Sequence, residues 1–353
     1  MLVVGHRLSA IGHRQYYSSP VPTLTIESIR GDGAESVHRI SAAVLDSDGG
    51  IVAHSGDVEF PTFLRSAAKP FQAIPAVADG AVARFSVTPA ELAVACASHN
   101  SERGQVAVVR ALLSRIDCTE ADLACGAHRS LAVELGVRAE DEPPPADLEA
   151  PSRLASNCSG KHTLMLALAR TRGWPVAGYH RPEHQVQRRV RGEVARWSGL
   201  AESALIEGTD GCGVVAFCMP VRAMALAFGR LGVSDDPAAA MVREAMLAHP
   251  EMVAGQHRLC TAVMQAYPGE LVAKVGADGV YGVALPRRGL GVALKVEDGD
   301  NRSAMVAVVA ILAQLGLDPD PRERLARFAA SPVLNTRGEA VGVLRARGGL
   351  AFR

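Results

Sequence analysis

The chain has 353 residues, with 37 Lys and Arg against 37 Asp and Glu, and 48% of its residues are hydrophobic. That length allows one large domain or two ordinary ones around a substantial core. The balanced charge offers no basic excess to hold a phosphate backbone, which argues against nucleic acid as a partner. The longest apolar runs, such as residues 304–313, are too short to span a bilayer, so no membrane partner is expected.

In chain order, residues 1–24 begin with a brief apolar stretch and continue with His and Arg. They lack the h-region of a signal peptide and read as a flexible leader on a cytoplasmic protein. The remainder, 25–353, is expected to form a single domain of two closely packed parts, a sheet part and a central helical part over about 67–265. Residues 38–55 place two β-rich runs around Asp46-Ser47-Asp48-Gly49-Gly50, a hairpin signal. A helix is predicted from Lys69 to near Gly80. A second opens with the capping box Thr88/Glu91 and Pro89 at its first position. Apolar residues at 106, 109, 113 and 116 form a helical stripe. The acidic, proline-rich stretch 141–152 reads as a loop.

Helices follow from Ser159 to a stop at Gly173, over 184–199, and from a cap at Asp236. Three β-like runs occupy 270–277, 279–286 and 290–298. A helix over 302–315 then stops at Gly316, and 331–347 reads as a last hairpin. Strands at both ends with helices between them argue for an α/β (α+β) fold, a mixed and largely antiparallel sheet flanked by helices, and not for a βαβ alternation. There is no internal repeat, no G-x-G-x-x-G and no Walker A motif.

The seven scattered cysteines do not form a disulfide framework and read mostly as small core residues. The lysines are more telling. Only Lys69, Lys161, Lys274 and Lys295 occur, so the other 33 of the 37 cations are arginine. Arginine does not release its proton, whereas lysine can serve as a base or a metal ligand. Lysines that persist in such a chain are candidates for chemistry.

Ser66 precedes Lys69 by three residues, a spacing that puts both on one helix face. A serine hydroxyl is a weak nucleophile until a base takes its proton, and a desolvated lysine can be that base. Alone, the pattern describes many capped helix starts. Here Ser98-His99-Asn100 and then Lys274-Val275-Gly276 follow in the order of the Ser-x-x-Lys, Ser-x-Asn and Lys-[Thr/Ser]-Gly motifs of β-lactamases and penicillin-binding enzymes, with Val275 in place of the hydroxyl residue. Cys158 and Lys161 open a helix, and Cys212 lies in a Gly-rich loop after Asp210. Two thiolates and a nitrogen can hold zinc with an open fourth position. The same residues also read as packed thiols with Lys161 paired to Asp210. His162 is a further ligand or substrate donor, or a satisfied core histidine. Lys295, beside Glu297, Asp298 and Asp300, reads as an ion pair on a strand. Residues 249–258 read as a site wall or an interface.

Blocks around residues 65–73, 96–102, 125–131, 156–162, 208–213, 249–255, 273–279 and 294–300 together resemble the Rhizobium-etli-type, thermolabile L-asparaginases of the "asparaginase II" group. The resemblance runs from about Arg30 to the final hairpin. It implies a serine-β-lactamase-like or glutaminase-like fold, a homodimer, and hydrolysis of L-asparagine to L-aspartate and ammonia. It further implies two Ser-Lys pairs, Ser66–Lys69 and Ser98–Lys274, and substrate contacts from Arg65, His162 and Asp210. It also implies a Zn2+ site of Cys158, Lys161 and Cys212, which favours the metal reading over packed thiols. One departure is Gln105, which stands where the family frequently has histidine. The alternatives are a penicillin-interacting serine hydrolase and a zinc-dependent protein that binds asparagine without cleaving it.

Overall fold

The computed structural model describes residues 23–131, 150–317 and 322–353. Most of the expected leader, residues 1–22, lies outside them, as do residues 132–149, which include most of the proline-rich stretch 141–152. The chain runs through strands β1 (Thr25–Arg30), β2 (Gly33–Asp46), β3 (Ile51–Ser55) and β4 (Pro61–Phe63). It then enters helices α1 (Lys69–Ala78), α2 (Ala81–Arg84), α3 (Pro89–Ala95), α4 (Arg103–Arg115), α5 (Ser159–Arg172) and α6 (Gln185–Ser198). Strands β5 (Ile206–Thr209) and β6 (Val215–Pro220) lead to α7 (Val221–Val233), α8 (Pro237–Ala248), α9 (Pro250–Val253) and α10 (Leu259–Ala266). Next come β7 (Val272–Gly276), β8 (Val280–Leu285), β9 (Leu290–Val296), α11 (Asn301–Gln314) and α12 (Arg322–Ala329). The chain closes with β10 (Ala330–Leu334), β11 (Ala340–Arg347) and β12 (Ala351–Phe352).

The main sheet is antiparallel throughout its named pairs and has the order β10-β11-β1-β2-β9-β8-β7, with β3 bridging β2 and β12. Strand β2 ties it together. Its exposed first half pairs with β1, while its buried second half pairs with β3 and, from Ile40 opposite Val296, with β9. Every residue of β8 and most of β9 are buried, so these strands lack the alternation of a half-exposed strand because both faces are covered.

Helix α7 lies against β2, β8 and β9, and α11 packs on β1, β8, β9 and β11. The approach of α7 is close enough that a Cβ on Gly291 would stand 2.0 Å from the Ala225 carbonyl oxygen, and one on Gly282 2.0 Å from the Phe228 ring. Small residues at these two sheet positions let the helix backbone sit directly on the strands. Opposite Gly282 on β7 is Lys274, which shares this helix-covered face.

The helices between Lys69 and Ala266 pack around α1, which contacts α5, α6 and α8 and is buried from Lys69 to Ala76. Phe71 joins this group to α7 through an edge-on contact with Phe228, ring centroids 5.2 Å apart. A small antiparallel sheet, β4-β6-β5, flanks them. The caps and turns foreseen in the sequence are present: the Thr88/Glu91 box, the Asp236 cap, and left-handed Gly173 closing α5. The mixed α/β architecture with a largely antiparallel sheet is as expected. Strands β1, β4, β5, β6 and β12 and helices α2, α7, α9, α10 and α12 are additions to the elements read from the sequence.

Candidate active site

The turn before α1 is a 3-10 helix, Arg65–Ala68, entered with Arg65 at φ +50°, a conformation that L-residues with a Cβ rarely adopt. It is held from both sides. Leu64 N–H donates to Phe217 O at 3.0 Å. Gly276 of β7 lies so close that a Cβ there would be 2.6 Å from Leu64 O. In a 3-10 turn residues i and i+3 stand one above the other, which places Ser66 over the start of Lys69. Ser66 is part-exposed, while Lys69 is fully buried.

The Lys69 ammonium donates to Ala97 O, to Ser98 Oγ at 3.3 Å and to Asn157 O at 3.3 Å, and none of these bonds goes to Ser66. Lys274 donates to Ser98 Oγ at 2.9 Å and to Val275 O at 2.9 Å. The fold therefore brings Ser98 between the two lysines, 29 and 176 residues away in sequence. Burial lowers Lys274 from 10.5 to about 7, and the nearby Lys69 and Arg258 charges add to the effect against an opposing Cys260. An amine in that range is available as a base near neutral pH.

The Ser98–Ser101 segment is fixed by polar side chains. Ser98 N–H donates to Val253 O at 3.0 Å. His99 is buried, and burial holds it neutral, at about 3. Its Nδ1 accepts Ser101 N–H at 3.1 Å, so its Nε2–H is the donor toward Ser159 Oγ at 2.9 Å. Asn100 donates through Nδ2 to Glu102 Oε1 and Gln256 O, both at 3.0 Å, and its Oδ1 accepts from Arg258 Nη1 at 2.9 Å. Gln105 accepts from the Asn100 and Glu102 amides at 3.1 and 3.0 Å and donates to Glu251 O at 2.8 Å. A side-chain amide suits that position because one oxygen takes both N–H groups while the nitrogen donates, which a neutral imidazole does less well. Residues 249–258 thus form a wall behind Ser98. Gln105, Arg258 and the carbonyl acceptors were not foreseen as supports, since a backbone oxygen leaves no trace in residue type.

The Arg65 guanidinium is engaged by carboxylates. Its Nε donates to Asp210 Oδ1 at 2.8 Å and its Nη1 to Asp278. Burial raises the Asp210 carboxyl, but the Lys161 charge and the Arg65 bond outweigh it and hold the group below the ordinary carboxylate range. Lys295 donates to the Asp278 carbonyl and not, as the sequence suggested, to Glu297, Asp298 or Asp300.

The third group lies at the start of α5. Gly160 allows it, since a Cβ there would meet Val94 O at 2.3 Å. Lys161 Nζ donates to Cys212 Sγ at 2.9 Å. A hydrogen bond from the Cys158 thiol, aided by the Lys161 charge against burial, lowers Cys212 to about 5, and Cys158 itself is raised to about 12. Cys212 is thus a thiolate between a thiol and an ammonium. Burial lowers His162 to about 3 and keeps it neutral. Its Nδ1 lies 2.5 Å from Tyr179 OH, which already accepts Ala124 N–H at 2.9 Å, so the tyrosine donates to Nδ1 and the proton of His162 sits on Nε2. That buried Nε2 has no partner. Among the described residues no three His, Cys, Asp or Glu side chains are placed to hold a metal ion. The set here is two sulfurs and an amine, and it fits zinc with lysine as the third ligand provided that Cys158 and Lys161 give up their protons on binding.

A serine hydroxyl held between two buried amines in a mixed α/β protein is an arrangement suited to passing a proton. The family model described as L-asparaginase II matches residues 26–346, and the chain belongs to that family. A comparison with curated proteins gives no match. Among solved structures, Mglu in its native form is similar at 14% identity with a TM-score of 0.45, over 79% of this chain and 65% of that chain. This chain therefore spans just under two thirds of the Mglu chain. A putative beta-lactamase from Bacteroides dorei is similar at 11% identity with a TM-score of 0.36, over 80% of this chain and 89% of that one. A beta-lactamase from Mycobacterium bovis is similar at 16% identity with a TM-score of 0.33, over 84% and 96%.

Proposed function

We propose that the protein hydrolyses L-asparagine to L-aspartate and ammonia by acyl transfer to Ser66. The observation that carries this reading is the buried Lys69–Ser98–Lys274 chain, which ends in an amine poised at about 7. Ser66 is the member of the group open to solvent, and Ser98, enclosed by two amines, suits a relay. Neutral Lys274 takes the Ser98 proton while Ser98 takes one from Lys69. Lys69 is left with a lone pair for the Ser66 proton as Oγ attacks the side-chain amide carbon. The proton returns along the same chain to the departing nitrogen, ammonia leaves, and water cleaves the ester. Asp210, held ionised, is suited to the substrate's ammonium, and His162 Nε2–H offers an unused donor. Cys158, Lys161 and Cys212 would hold zinc, which when bound supplies a fixed positive charge beside the substrate site. The protein acts as a cytoplasmic homodimer in this reading.

Ammonia release from L-asparagine by the purified protein tests it. The S66A variant should fall to background. Turnover retained in S66A but lost in S98A would move the nucleophile to Ser98. Asparagine binding with no ammonia from the unaltered protein would make it a binding protein.

A further inference from the structure

Three cationic side chains converge on the Ser98–Asn100 segment: Lys69, Lys274 and Arg258. Lys69 and Lys274 bond only to carbonyl oxygens and the Ser98 hydroxyl. Arg258 bonds to the neutral Asn100 Oδ1. Among the described residues none of the three has a carboxylate in ion-pair contact. Glu102 accepts from Asn100 Nδ2 at 3.0 Å and from the Gln256 amide at 2.7 Å. Arg258 stands at the N-terminal cap position of α10, is half-buried, and lies near enough to the buried Lys274, His99 and Tyr281 to influence them. A part-desolvated guanidinium with one neutral bond and four N–H donors left is a site for an anion.

The other cations near the site are already engaged. Arg65 holds two carboxylates, Asp210 and Asp278, which cancel its charge. Lys295 is bound to the Asp278 carbonyl and lies within the influence of the Asp278 and Asp298 charges. Lys161 donates to Cys212 Sγ at 2.9 Å. We propose that Arg258, held in place by Asn100, is the residue that binds the carboxylate of the amino-acid substrate and so selects amides that carry one. This rests on the amidohydrolase reading above. It gives the Ser98-x-Asn100 motif a second purpose: Ser98 faces the lysines, and Asn100, two residues on, aims the arginine.

The test compares L-asparagine with 3-aminopropanamide, which is asparagine without its carboxylate. The R258Q variant keeps an N–H donor for Asn100 but loses the charge. Because the Arg258 charge also bears on Lys274, R258Q should lower turnover of both amides, but the loss in kcat/KM should be about 30-fold or more greater on asparagine, the difference lying mainly in KM. R258K should recover part of the loss. Equal losses on both amides, or undiminished preference for asparagine, would overturn the assignment and leave Arg258 a support for Asn100. Calorimetric titration with L-aspartate separates this from failure of the asparaginase reading. If the unaltered protein releases no ammonia from either amide, that reading fails. Aspartate binding weakened at least tenfold in R258Q would still uphold the carboxylate site, and unchanged or absent aspartate binding would end it.

Discussion

Replacing Lys274 by arginine tests the proton chain most directly. The substitution keeps a positive charge of similar reach but removes the ability to release a proton. In the folded protein burial brings Lys274 from 10.5 to about 7. At ~1.4 kcal/mol per pH unit, holding its ammonium in this site costs on the order of 5 kcal/mol. About half of the molecules therefore carry a neutral amine at pH 7, against on the order of one in 3,000 for an ordinary lysine. The sign follows. Protonated Lys274 cannot accept the Ser98 proton, so activity falls as pH drops through about 7. In ammonia-release assays with asparagine, kcat/KM should decline about tenfold per pH unit below that point. K274R should lose a factor of about 10²–10⁴ in kcat, the usual worth of a general base. A flat profile between pH 5.5 and 7.5, or K274R within threefold of the unaltered enzyme, would refute the role given to this amine.

The remaining predictions concern the supports. In G291A the new Cβ would face backbone atoms of α7, the Ala225 oxygen at 2.0 Å and the Gly229 nitrogen at 2.1 Å. A loss of about 3 kcal/mol or more is expected from urea unfolding, and an unchanged midpoint would show that the helix does not rest on the strand as described. Q105A deletes three hydrogen bonds and leaves the Asn100 and Glu102 amides without their acceptor. It should cost about 3 kcal/mol of stability and lower kcat more than it raises KM. If kcat holds, the loop needs no such anchor. Zinc analysis of the C158S/C212S double variant should find no metal where the unaltered protein carries one per chain. Stoichiometric zinc in the variant would exclude these thiols as ligands.

The parts of the fold legible in the sequence were those with local punctuation. The Thr88/Glu91 box, Asp236 and the turn at Asp46–Gly50 satisfy backbone groups with nearby side chains, and Gly173 takes a left-handed backbone that few other residues adopt, so each announces itself. Helix α7 gave no periodic signal because it is buried nearly all round, between the sheet on one side and α6 and α8 on the other. Strands β4 to β6 are three to six residues long and read as extensions of apolar loops. At the site, residue type and order were enough to single out Lys69, Ser98 and Lys274. What the sequence withheld was direction. Nothing in it says that Lys69 turns toward Ser98, that Arg65 is taken by two aspartates, or that Arg258 has none among the described residues. Those outcomes are decided by which segments the sheet and helices bring together.

The scarcity of lysine also has a chemical consequence outside catalysis. Lys69, Lys161 and Lys274 are sealed in the interior, with at most 3% of their surface accessible, whereas Lys295 is part-exposed. Amine-directed reagents, whether dyes, crosslinkers or activated supports, meet a single reachable side-chain amine in the folded chain. Attachment through it would be single-point, would leave the interior amines underivatised, and would place the label beside Asp278, within reach of any movement of Arg65.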